Sequence, residues 1–88
     1  MITSWYKLLA KAAESRNENI ANIVHTMTEE ELHAEFCDDY GIPEGCHFTA
    51  WGPNWVYFPL DYDGTESVGS APRNPCDIKL AHQGMNKP

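Results

Sequence analysis

Positive charge is almost missing where negative charge is densest. Between residues 17 and 72 there is no Lys or Arg, and residues 28–66 alone hold ten of the thirteen acids. The formal net charge of the 88-residue chain is -7, with its few bases at the two ends: Lys7, Lys11 and Arg16, then Arg73, Lys79 and Lys87. A field of this sign repels nucleic-acid phosphates and anionic lipid heads and attracts basic protein grooves. Direct nucleic-acid binding is therefore not expected, although aromatic side chains are plentiful, because base stacking is normally coupled to a positive groove.

Long apolar runs are also missing, so no segment is expected to span a bilayer. The stretch MITSWYKLLAKAAES lacks the apolar region and cleavage pattern of a secretory signal. Cysteine is sparse. Three thiols cannot close a disulfide framework within one chain, and the expectation is a reduced, cytoplasmic protein. No internal repeat is present. At this length the chain is one domain, expected over 1–76, with 77–88 a flexible tail.

Catalytic signatures are missing too. There is no nucleophile elbow, P-loop or glycine-rich dinucleotide motif. Cys46 and His47 are adjacent, but on a strand they point to opposite faces and cannot form a thiolate–imidazolium pair. The chain is not expected to be an enzyme, and no cofactor is implied. Asp61-Tyr62-Asp63-Gly64-Thr65-Glu66 has enough oxygens to suggest calcium, but its glycine is misplaced for an EF-hand loop and a hairpin turn explains it. Zinc is a further alternative. His33 and Cys37 share a helical face at i, i+4, and Cys46 and Cys76 would have to complete a tetrahedron, yet no CxxC or HxxxH pair exists.

What is present is organised in two halves. Trp5, Leu8, Leu9 and Ala12 fall at helix spacing, with Ala13 among the good helix formers of the other face. Ser15-Arg16-Asn17-Glu18 matches a capping box, followed by an apolar stripe of Ile20, Ile23, Val24 and Met27. The spacing predicts either one helix over 4–26 or a break near Ser15, and the break is preferred because Ser15, Asn17, Asn19 and Asn22 compete for local backbone bonds. Thr28-Glu29-Glu30-Glu31 is a stronger start signal. It places a hydroxyl at the N-cap, a carboxylate three residues on, and three acids at the positive end of the dipole. With the row Leu32, Phe36, Tyr40 and the stop Gly41-x-Pro43, it predicts a helix over 29–40 whose outer face carries Glu30, Glu31, Glu35 and Asp38.

After Gly45 the period changes to two. Strands are expected at roughly 46–51, 55–62 and 65–71, with turns at Gly52-Pro53-Asn54 and Asp63-Gly64. From Ala71 the proline-rich stretch reads as an irregular strap. The fold class is α+β: two or three N-terminal helices packed on a three-stranded antiparallel β-meander.

Seven aromatics, Tyr40, Phe48, Trp51, Trp55, Tyr57, Phe58 and Tyr62, crowd into 23 positions. A small meander cannot bury both faces, so part of this cluster is expected to remain exposed as a binding surface. The functional expectation is a small acidic protein-binding module, an inhibitor or adaptor that blocks a larger protein, with a basic nucleic-acid-binding groove as one target. Short acidic inhibitors of this class are common in phage and mobile elements, an analogy that names no residue. The expected contacts are Glu29, Glu30, Glu31, Glu35, Asp38, Trp51, Trp55, Tyr57, Asp61, Asp63 and Glu66. The alternatives are a subunit that forms a homo-oligomer through its aromatic sheet face, and a zinc-stabilised module.

Overall fold

The computed structural model describes residues 2–37, 45–62 and 65–82, and shows a mixed α+β chain with two antiparallel sheets. In chain order the elements are β1 (Ile2–Ser4), α1 (Trp5–Ser15), a 3-10 turn (Ile20–Asn22), β2 (Val24–His25), α2 (Glu29–His33), β3 (Glu35–Cys37), β4 (Ala50–Trp51), β5 (Trp55–Tyr62) and β6 (Thr65–Pro72). β1 pairs with β3, and the larger sheet runs β2-β4-β5-β6. The strands expected after Gly45 pair in the order β4-β5-β6, but the first, expected over 46–51, is only Ala50–Trp51, and the expected three-stranded sheet is a four-stranded one with β2 at its edge, beside a second sheet of two strands. No helix among the described residues is long and apolar enough to cross a membrane.

Helix α1 begins at Ser4, whose hydroxyl accepts from the Lys7 N–H at 3.3 Å. It buries Trp5, Leu9 and Ala13, a strict i, i+4 row that places Ala13 in the core, not on the outer face expected of it. The helix breaks where the asparagine content predicts, but by a C-terminal device and not an N-cap. Asn17 takes a left-handed φ of 60°, its N–H bonds the Glu14 carbonyl, and the Glu18 N–H reaches back to the Ala13 carbonyl at 2.8 Å. This is a Schellman closure with Asn at C′. The capping-box reading of Ser15–Glu18 is therefore overturned; the Ser15 hydroxyl donates backward to the Ala12 carbonyl.

The stripe after it is not a second α-helix. Only the 3-10 turn and the two-residue β2 form, as suits the β-branched Ile20, Ile23 and Val24. Ile23 and Met27 are buried, while Val24 is 67% exposed.

Thr28 caps α2 as expected. Its Oγ accepts from the Glu31 N–H at 3.1 Å, and the Glu31 carboxylate accepts from the Thr28 N–H at 2.9 Å. The helix stops at His33, well short of 40, because Ala34 turns extended and 35–37 pair with β1 in the register Ile2↔Cys37, Thr3↔Phe36, Ser4↔Glu35. Phe36 is buried all the same, with its ring 5.1 Å from that of Trp5. Tyr40, Gly41 and Pro43, which set the longer expectation, lie outside the described residues, as does the Asp63-Gly64 turn.

Register sorts the larger sheet into two faces. His25, Ala50, Tyr57 and Ser70 form one cross-strand row, joined on the same face by Trp55 and Val68, and this face packs on α1. The opposite row is Val24, Trp51, Val56 and Ala71, with Phe58 and Leu60 further along. The molecule measures 35 × 31 × 18 Å, room for one helical layer on one side of the sheet. From Arg73 to His82 the chain has no helix or strand. Its start is tied down by the Arg73 N–H on the Asn54 carbonyl and by Nη1 on the Gly52 carbonyl at 3.0 Å.

Candidate interaction surface

The acidic turn gathers the expected charge. Glu29, Glu30, Glu31 and Glu35 are all exposed. Glu29 stands between two imidazoles, with Oε2 3.9 Å from His25 Nε2 and Oε1 3.7 Å from His33 Nε2. The Glu29 side chain is 81% exposed and that of His25 only 15%, so Glu29 lies against the β2 edge from outside. His33 in turn stacks on Tyr6, ring centroids 4.7 Å apart. Tyr6, Ile20, Ile23, His25, Glu29, Leu32 and His33 border a shallow groove of about 260 Å³. Tyr6 is an exposed aromatic beside the acidic turn that sequence reasoning missed. Its position one residue after Trp5, off the buried row of α1, could have revealed it.

The second component is the outer sheet face. Trp51, Val56, Phe58 and Leu60 are only half-buried, and none of them joins the core that collects around Trp5, Leu9 and Tyr57. No described helix lies over this row, and no charged side chain belongs to it. Trp51, one of the expected contacts, lies on this outer row. Trp55 lies on the helix side of the sheet, with the Arg16 guanidinium 3.8 Å above its ring, which leaves it half-buried.

Two expected contacts are corrected outright. Tyr57 is 0% exposed, because its register places it opposite Ser70 and Ala50 on the inner face. Its hydroxyl donates a short hydrogen bond to Glu18 Oε1, and Glu18 Oε2 accepts from the Asn54 N–H at 2.7 Å. Burial first, then the Glu18 carboxylate, push the Tyr57 phenol far above its ordinary value. Gly52 fits this clamp because a Cβ there would strike both the Glu18 carboxylate and Ile23. Glu66 is the other correction. It is 4% exposed, and both carboxylate oxygens accept from the Gly45 N–H, at 2.9 and 3.1 Å. Gly45 is itself pressed on Trp5, whose ring atoms would lie 2.6–2.7 Å from an added Cβ. Both residues serve the fold. Asp61 is exposed, and Asp38 and Asp63 lie outside the described residues.

For the zinc alternative, only His33, Cys46 and Cys76 of the four candidate ligands have described side chains. No group of three His, Cys, Asp or Glu side chains among the described residues could hold a metal ion. His33 faces Glu29 and Tyr6, Cys46 lies with Trp5, Glu31 and Phe36, and Cys76 lies with Asn54, Trp55 and Pro72. The Cys37 side chain is outside the described set. Burial, then the negative charge of Glu31, raise the Cys46 thiol above its ordinary value, the reverse of what an activated thiolate needs.

Comparison with protein-family models, with curated proteins and with solved structures found no match.

Proposed function

We propose that the chain is a small acidic protein-binding module, an inhibitor or adaptor whose carboxylates on α2 and at the start of β3 enter a basic groove on a larger protein. The observation that carries this reading is the set of exposed carboxylates Glu29, Glu30, Glu31 and Glu35, on a stretch with no Lys or Arg from 17 to 72 to neutralise them. Imidazoles are the only bases that reach Glu29 among the described residues. A nucleic-acid-binding groove is one target with the complementary charge. Glu30 and Glu35 are the residues to reverse, because Glu31 is committed to the cap and Glu29 to the two histidines. In affinity capture from the native lysate, wild type is expected to retain a basic protein that Glu30→Lys/Glu35→Lys does not retain, with an unchanged circular dichroism spectrum. Equal capture by both forms would remove the acidic surface from the account.

A second reading rests on a different observation, the uncharged outer row Val24, Trp51, Val56, Phe58 and Leu60. Two chains of charge -7 can meet there without opposing acids on that face. A self-associated form would melt at lower temperature on dilution, by mass action. Sedimentation equilibrium at high micromolar concentration separates the readings: a monomer mass leaves the row to a different protein, and a dimer mass assigns it to a second copy.

A further inference from the structure

An open groove of about 470 Å³ lies between the C-terminal end of α1, β6 and the strap at 78–82. Its charge is opposite to that of the chain. Arg16, Lys79 and His82 line it, and no carboxylate does, although acids outnumber Lys and Arg thirteen to six. The nearest acids along the chain, Glu14 and Asp77, are exposed and outside the lining.

Arg16 is held in place before any ligand arrives. Its guanidinium carbon lies over Trp55, 3.8 Å from the ring centroid, and Nε donates to Ser70 Oγ at 2.8 Å. No hydrogen bond among the described residues engages its two terminal amino groups, the pair that grips an oxyanion in a fork. Stacking and the Nε bond have already fixed the side chain, so little rotamer entropy remains to be lost on binding. Val68, Ile78 and Leu80 supply an apolar wall next to these bases.

We propose that this groove binds a phosphate monoester carried on a small apolar group. The phosphoryl dianion sits against Arg16, Lys79 and His82, and the organic part lies on the wall. Three nitrogen bases around one space suit a dianion better than a singly charged carboxylate, and the cavity has the size of a small-molecule site. The net negative field of the chain disfavours anions in general, and the bases of this groove offset it locally. This inference does not depend on the protein-binding reading.

Phenyl phosphate, inorganic phosphate, benzoate and phenol, titrated separately into the ¹⁵N-labelled chain, test it. Phenyl phosphate is expected to shift the Arg16 Nε–H signal and the amides of Ser70 and 79–82 saturably. It should bind more tightly than benzoate or inorganic phosphate, while phenol leaves these signals unmoved. Arg16→Gln should weaken binding at least about tenfold, the scale of a lost charge-assisted hydrogen bond. Because that variant also removes the stack on Trp55, Lys79→Gln/His82→Gln is the companion: both positions are exposed, so the fold is kept and binding still weakens. The proposal is overturned by the absence of saturable, localised shifts up to about 10 mM phenyl phosphate. Inorganic phosphate or benzoate binding as tightly, or the strap double variant binding as well as wild type, would equally overturn it.

Discussion

Glu18 shows how much a single side chain can decide and how little of that its neighbours in sequence disclose. Read locally, it completes a capping box with Ser15. In the fold it crosses to the β4–β5 turn and takes bonds from Asn54 and Tyr57, residues 36 and 39 positions away. No local pattern encodes that partner. The same separation hid the roles of Tyr57 and Glu66, since alternation gave the two faces of β5 but not which of them meets α1. The clamp has a consequence with pH. The phenol ordinarily titrates near about 10, and in the fold burial and Glu18 push it up. The unfolded chain can therefore ionise Tyr57 where the folded chain cannot. The stability this group contributes is intact below about pH 10 and is lost as the pH rises from there toward the folded value. Denaturant midpoints measured from pH 8 to 11 should fall less steeply for Tyr57→Phe than for wild type. At pH 7 the same variant should be about 2 kcal/mol less stable, the scale of a buried hydrogen bond to a charged group. Parallel pH profiles for the two proteins would mean that the clamp does not hold the phenol.

Among the elements, those with a chemical start signal were legible and those defined by a distant partner were not. Thr28 and Glu31 satisfy each other's backbone donors whatever follows, so the start of α2 was readable. Its end was not, because 35–37 pair with Ile2–Ser4, more than thirty residues back. Leu32 and Phe36 are buried on either reading, since i, i+4 spacing on a helix and a turn-then-strand path both deliver them to Trp5. β5 and β6 were readable from alternation and the Asp63-Gly64 dipeptide, whereas β2 needs β4 beside it to exist. Thr28→Ala should cost about 1 kcal/mol, the usual value of a lost N-cap. The denaturant midpoint checks this, and an unchanged midpoint would show that the capping box does not hold α2.

For the molecule as a whole, sequence specified charge better than it specified shape. The segregation of acids from bases is a property of the chain, and the fold keeps part of it: exposed acids at and just after α2, and Arg16 with Lys79 beside the groove at the end of α1. Only the register could tell which aromatics lie outside. It retires Tyr57, moves Trp55 under Arg16, and leaves Trp51 with Val56 and Phe58 on the open face. The division of labour that follows is kinetic. Carboxylates on α2 and at the start of β3 should speed encounter with a basic partner, and Trp51 should slow its departure. The central claim is the first of these. Its most direct measurement is the association rate of the captured partner with wild type and with Glu30→Lys/Glu35→Lys, across a salt series. Screening acts beyond about 8 Å at physiological ionic strength, so the wild-type rate should fall steeply with salt and the double reversal should be slow at every concentration. A rate insensitive both to salt and to the reversal would contradict the claim, even if Trp51→Ala destroyed the complex.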